Sequence, residues 1–138
     1  MESLFCPYEL ALELKKLGFN EGVLAQYRVD GYLCWGKDDC SLGSDISDED
    51  YKNNCFPEFG CRAPLWQQAF DWFREKNYME GHLYISYNLL PKATWGYSIQ
   101  TSEPKYIKSL NSHYSTYEEA RQACLEKLIE IAKEQNVK

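Results

Sequence analysis

Helical spacing of apolar residues marks the start of the chain. Leu10 and Leu14 recur at this spacing shortly after Pro7, a residue suited to a first helical turn. Gly18 then indicates the end of the helix, because glycine readily adopts the left-handed conformation that closes one. The pattern predicts a first helix over residues 7–17.

Two further segments have helical spacing. Residues 65–76 follow Pro64 and carry a broad aromatic face, which predicts a helix lying across a sheet. The last helix begins after Ser115 and Thr116, each followed three residues later by a glutamate, so two overlapping capping boxes are predicted. Arg121 falls within the apolar arc of this helix, and its guanidinium must either reach past the edge or pair with an anion or a carboxylate.

Apolar and polar residues alternate over residues 81–89 and 93–101, the two-residue period of half-buried antiparallel strands. Extended backbone is also favoured over 23–28 and 32–36, with Asp30-Gly31 as the hairpin turn between them. The sequence does not decide whether residues 104–113 form a loop or a short edge strand.

Residues 37–62 follow neither pattern. They hold seven acidic side chains against three basic ones, a net charge of −4 out of −6 for the whole chain. We expect a solvated acidic loop here. The predicted fold is α+β, one domain over residues 1–138, in which a small, mainly antiparallel sheet of two hairpins is covered by three helices in the order αββαββα.

Charge and hydropathy exclude several classes of function. A net charge of −6 disfavours non-specific nucleic-acid binding, which needs clustered lysine and arginine. No apolar run approaches the roughly 20 residues that span a bilayer, and the first residues lack the features of a signal peptide. The expected location is therefore the cytoplasm, without membrane association.

The six cysteines include no Cys-x-x-Cys pair, and without an export signal we expect reduced structural thiols. Disulfides and a metal site remain alternatives. A metal would have to be held by Cys40, Cys55 and Cys61, with His82 or His113 as a fourth ligand. Our prediction is that no metal and no other cofactor is bound.

No glycine-rich phosphate loop and no nucleophile elbow is present, and the chain has only two histidines. We therefore predict a protein that is not an enzyme. The alternatives are a small thiol or hydrolytic enzyme, which would use one of the loop cysteines with a histidine, and a metal-stabilised structural protein.

A binding function is better supported, because aromatic and basic side chains lie close together in sequence after residue 83. Tyrosine and tryptophan beside lysine can stack a base and hold a phosphate, or can anchor a protein partner. Core packing is the alternative explanation for each aromatic residue. The predicted ligand-binding residues are Tyr84, Lys92, Trp95, Tyr97, Lys105, Tyr106, Lys108, His113 and Arg121.

Three segments together carry a resemblance: Cys6-Pro7-Tyr8-Glu9-Leu10-Ala11, Ala63-Pro64-Leu65-Trp66-Gln67-Gln68 with its continuation Asp71-Trp72-Phe73-Arg74-Glu75-Lys76, and Thr116-Tyr117-Glu118-Glu119-Ala120. In this order, over most of the chain, they resemble small phage and prophage proteins of gut bacteria. The resemblance implies an accessory protein of a mobile element, acting in the cytosol of the host cell. It brings no catalytic residues to this sequence.

The resulting expectation is a phage-encoded binding module, with a role in counter-defence. It would either inhibit a host defence protein or sequester a nucleotide immune signal. The aromatic, acidic composition favours a protein partner, and the lysines between residues 92 and 108 favour an anionic small molecule. A nucleotide ligand would also favour a homo-oligomer, since one small domain offers little concavity.

Overall fold

The computed structural model describes residues 4–35, 49, 59–86, 94–102, 106–108 and 114–137. The elements in chain order are α1 (Tyr8–Lys16), β1 (Ala25–Arg28), β2 (Leu33–Trp35), β3 (Phe59–Ala63), α2 (Trp66–Asn77), β4 (Glu80–Ser86), β5 (Thr94–Gln100), β6 (Tyr106–Lys108) and α3 (Tyr117–Val137). The predicted α+β class with three helices and antiparallel strands is confirmed.

The strands form two separate three-stranded sheets, with the orders β2-β1-β3 and β4-β5-β6, where one sheet of two hairpins was predicted. All pairings are antiparallel. The chain correspondingly divides into two compact units, Met1–Ala69 and Phe70–Lys138. That the whole chain is one domain stays a prediction.

Strand β3 corrects the predicted acidic loop over residues 37–62. Its first four residues lie within that range, and they pair with β1, with Tyr27 opposite Cys61 and Arg28 opposite Phe59. The prediction failed here because this pairing joins segments more than 30 residues apart, which local patterns do not reveal. Most of the predicted loop lies outside the described residues.

In the first unit, helix α1 packs against β3. Gly18 has a φ of 101°, and Phe19 N–H donates to the Leu14 carbonyl, which confirms the predicted end of the helix. The Asp30-Gly31 turn is also confirmed, with a φ of 88° at Gly31. The core of this unit contains Phe5, Ala11, Ala25, Tyr27, Cys61 and Ala63.

The segment before β1 is held through its backbone carbonyls. The Arg62 guanidinium donates to the carbonyls of Asn20 and Glu21, at 2.6 and 2.7 Å, and the Gln68 amide donates to that of Gly22 at 2.6 Å. One nitrogen of the Arg62 guanidinium, Nη1, therefore binds two carbonyls of a segment that lies outside the strands.

In the second unit, helix α3 packs against β5 and β4. Gly81 on β4 faces this helix, because a Cβ at this position would come within 2.7 Å of Cys124 Sγ. Cys124, Leu125 and Leu128 on α3 are fully buried, as is Ile99 on β5. The close approach of helix and sheet at Gly81 defines the inner, helix-covered face of the sheet.

Candidate functional site

The alternation of β4 and β5 separates their side chains onto two faces. Leu83 lies opposite Tyr97, and Ile85 lies opposite Trp95. Both pairs are an even number of residues along the strands from the pair of Gly81 with Ile99, which faces α3. Successive side chains on a strand point to opposite faces, so these four side chains share the inner face with α3. Trp95 is at the end of the sheet where α3 begins.

Four side chains form an aromatic patch at this end, which we define as Ile85, Trp95, Tyr117 and Arg121. The rings of Trp95 and Tyr117 meet edge to face, with their centroids 5.2 Å apart. Arg121 Cζ lies 5.5 Å from the centroid of the Tyr117 ring, within cation–π range. Ile85 and Tyr117 are 40% and 41% exposed, while Trp95 and Arg121 are half-buried.

Backbone hydrogen bonds fix Trp95 in place. Its N–H donates to the Tyr114 carbonyl at 2.9 Å, and its carbonyl accepts from the Tyr114 N–H at 3.1 Å. Helix α3 begins directly afterwards, where Thr116 Oγ1 accepts from the Glu119 N–H and Glu119 Oε2 accepts from the Ser115 N–H. The patch is thus held by the start of the central strand β5 and by the capped first turn of α3.

Tyr97 does not contribute to the exposed part of the patch. It is only 8% exposed, and its ring lies 6.3 Å from that of Tyr114. Burial is the main cause that raises the pKa of Tyr97, followed by the nearby Tyr114 and Cys124. Tyr97, one of the predicted binding residues, is therefore part of the core.

The opposite, outer face of the same sheet holds a second set of the predicted residues. The Tyr84 ring lies over Gly96, where a Cβ would come within 2.7 Å of Tyr84 Cζ. His82 lies opposite Ser98, and Ser98 lies opposite Lys108, so these three residues form one row across β4, β5 and β6.

The structure therefore divides the predicted binding residues. Trp95, Tyr97 and Arg121 are on the side of α3, and Tyr84 is on the outer face. Tyr106 and Lys108 are placed by the register of β6, opposite Gln100 and Ser98. Three predicted residues lie outside the described residues: Lys92, Lys105 and His113.

The thiols in the described part of the chain are unsuited to nucleophilic chemistry. Cys6, Cys34, Cys61 and Cys124 are buried thiols, and burial raises the pKa of the Cys124 thiol to about 12. Among the residues that the structure describes, no three histidine, cysteine or acidic side chains are grouped as a metal site would need.

The loop cysteines Cys40 and Cys55 lie outside the described residues, as does His113. The thiol-enzyme and metal alternatives that use them therefore stay predictions.

Sequence patterns missed two members of the patch. Tyr117 and Ile85 both fall on apolar stripes, so the sequence assigned them to the core. A signal was present nevertheless: Tyr117 directly follows the predicted capping residues Ser115 and Thr116, which places it at the very start of α3.

No protein-family model matches the chain, and no curated protein or solved structure matches it either. None of the helices in the described ranges is both long enough and apolar enough to cross a membrane.

Proposed function

We propose that this chain is a non-enzymatic binding protein that docks onto a protein partner through the aromatic patch. The observation that carries the proposal is the contact of Trp95, Tyr117 and Arg121 at a partly exposed position. These three residue types dominate the binding energy of protein interfaces, where a central aromatic or arginine anchor is desolvated by the partner.

Charge around the patch favours a protein partner over an anionic ligand at this place. Glu118 and Glu119 are exposed in the first turn of α3, beside Tyr117. The Arg121 guanidinium is already directed at the Tyr117 ring. A phosphate here would meet two carboxylates, whereas an apolar side chain of a partner could cover the exposed parts of Ile85 and Tyr117.

The biological role in the proposal comes from the resemblance to phage and prophage proteins. A small accessory protein of a mobile element would act in the host cytosol, and inhibition of a host defence protein is the role that we propose. The aromatic patch would supply the contact that blocks the host protein.

The test is the affinity of patch variants for an identified partner. Tagged full-length chain is expressed in the host, partners are identified by mass spectrometry, and the dissociation constant is measured with the purified pair. We expect Tyr117→Ala and Arg121→Gln each to weaken binding at least about tenfold, the size typical of an interface anchor.

The chain supplies a matched control in its other unit. Tyr32 is also exposed and also has an arginine near its ring, with Arg28 Cζ 5.9 Å from the centroid. Tyr32→Ala should leave the affinity unchanged. Equal losses with Tyr32→Ala and Tyr117→Ala, or unchanged affinity in both patch variants, would contradict the proposed docking surface.

A further inference from the structure

Opposite charges are neighbours at the edge of the aromatic patch. Arg121 belongs to the patch, and Glu118 is three residues earlier on α3, so the two side chains adjoin each other on the helix surface. Glu118 is exposed, and the half-buried Arg121 keeps part of its side chain at the surface. One small surface therefore carries exposed apolar groups together with both members of an ion pair.

The apolar groups of this surface are held in a fixed arrangement. Tyr117 and Ile85 are both exposed, and the edge-to-face contact with Trp95 fixes the Tyr117 ring against β5. A surface that is already ordered loses little conformational entropy when it is covered. Covering it with a second apolar surface is therefore favourable even when the area is small.

We infer that a second copy of the chain covers the aromatic patch, in a symmetric dimer about a two-fold axis. A two-fold interface uses the same surface of both copies, so that each contact between two different residues occurs twice. Arg121 of each copy binds Glu118 of the other, and Tyr117 and Ile85 pack around the axis. This dimer rests on the proposed role of the patch as a docking surface and names an occupant for it.

Charge complementarity selects the second copy as that occupant. A surface of one sign would repel itself, because like charges would meet across the axis. Here the cation and the carboxylate are about one helical turn apart, so two antiparallel first turns of α3 place each charge against its opposite. Glu118 also offsets the positive end of the helix dipole, which would otherwise oppose the approach of two helix starts.

The size of the surface sets the strength of the dimer. A stable dimer buries about 800 Å² on each copy, from roughly 20 residues, and the aromatic patch with Glu118 is a small part of that. We therefore expect a dissociation constant of about 0.1 mM. The net charge of −6 on each copy opposes association, but about 0.15 M salt limits this repulsion to a range of about 8 Å. A dilute chain thus keeps its patch open to a host protein.

The experiment is sedimentation velocity of the purified full chain, in reducing buffer with salt, from about 10 μM to about 1 mM. We expect the sedimentation coefficient to rise from the monomer value toward the dimer value over this range. Glu118→Arg and Arg121→Glu should each weaken association at least about tenfold, because like charges then meet at both symmetric contacts.

A mixture of these two variants gives the decisive measurement. One variant has only basic side chains at positions 118 and 121, and the other has only acidic ones. An equimolar mixture should therefore associate with close to the natural affinity, although neither variant does so alone. The chain with both substitutions, in which the charges are exchanged, should also associate. Both results require position 118 of one copy to face position 121 of the other.

The matched control is Lys127→Glu, on the same helix. Lys127 Nζ lies 3.1 Å from Glu130 Oε1, at the same three-residue spacing but more than one turn beyond Arg121. This variant should leave the association unchanged. Glu118→Arg changes an exposed side chain, so its circular dichroism should match that of the natural chain, and it decides the question with Lys127→Glu if Arg121→Glu does not fold.

The proposed dimer is overturned by a chain that stays monomeric at about 1 mM. It is also overturned by association that Glu118→Arg leaves unchanged or that Lys127→Glu weakens equally, and by a mixture of the two folded variants that stays monomeric. A monomeric chain whose affinity for a host protein depends on Tyr117 overturns the dimer alone. A dimer with these charge dependences, in a chain whose affinity for the host protein does not depend on Tyr117, overturns only docking onto the host protein.

Discussion

The ring of Tyr84 occupies the space above Gly96 that a side chain at position 96 would need. The two residues are direct cross-strand partners in the β4–β5 register. The two residues therefore depend on each other. Gly96 leaves room for the Tyr84 ring, and the ring supplies the packing that glycine itself does not provide.

In a double-mutant cycle, the effect of Gly96→Ala on the free energy of unfolding should change sign when Tyr84 is also replaced. Gly96→Ala should lower the free energy of unfolding by about 1 kcal/mol in the natural chain, because Tyr84 has to leave its position. In the Tyr84→Ala background the same change should raise it by about 0.5 kcal/mol, since alanine is less costly than glycine in a strand. Urea titrations of the four proteins measure both values.

A second prediction concerns Tyr78, which follows α2 with a φ of 55° and is 71% exposed. The Met79 N–H donates to the Phe73 carbonyl, and this hydrogen bond ends the helix with Tyr78 in the left-handed conformation. Glycine adopts that conformation without strain. Tyr78→Gly should therefore raise the free energy of unfolding by about 1 kcal/mol.

The matched control for Tyr78→Gly is Glu75→Gly, one turn earlier. Glu75 is exposed inside α2, where glycine should lower the free energy of unfolding by about 1 kcal/mol. Thermal unfolding of both variants checks the pair. A loss of stability in both would show that the left-handed conformation at position 78 carries no strain.

A third prediction concerns the start of α3. The sequence offers Ser115 and Thr116 as alternative caps, and the structure selects Thr116, whose Oγ1 accepts from the Glu119 N–H at 3.1 Å. Ser115 contributes its backbone N–H instead. Thr116→Ala should lower the free energy of unfolding by about 1 kcal/mol, and Ser115→Ala by much less. Equal losses in the two variants would mean that both hydroxyls cap the helix.

Features that depend only on residues close together in the sequence could be predicted. Gly18 and Asp30-Gly31 are specified by the backbone conformations that a helix end and a tight hairpin require, and both were predicted where they occur. The pairing of β3 with β1 was not accessible, because it brings together segments separated by a long stretch without periodicity.

The candidate site was only partly accessible for a different reason. Trp95 and Tyr84 are close along the hairpin, and closeness in sequence grouped them into one predicted site. The pleat sends them to opposite faces, and the helix then buries Tyr97 while Tyr117 stays partly exposed. The alternation of residues shows which side chains share a face, but their exposure depends on where α3 begins relative to the sheet.

The last prediction follows from Cys124, which packs against the inner face of the sheet near Gly81. Burial raises the pKa of its thiol from 9.0 to about 12, so the folded chain favours the neutral form. The stability from this group is complete below pH 9, where the thiol is neutral in both states. It is lost as the pH rises from 9 toward 12, because only the unfolded chain releases the proton.

The measurement compares the natural chain with Cys124→Ala by urea unfolding between pH 8 and pH 10.5. The natural chain should lose stability faster above pH 9, by about 1.4 kcal/mol per pH unit, because alanine has no proton to release. Tyr97 also has a raised pKa, mainly through burial, and contributes to the decline in both proteins, so the effect of Cys124 is taken from the difference between the two curves. Parallel curves would mean that Cys124 is ionised in the folded chain as readily as in the unfolded one, which its complete burial between α3 and β4 opposes.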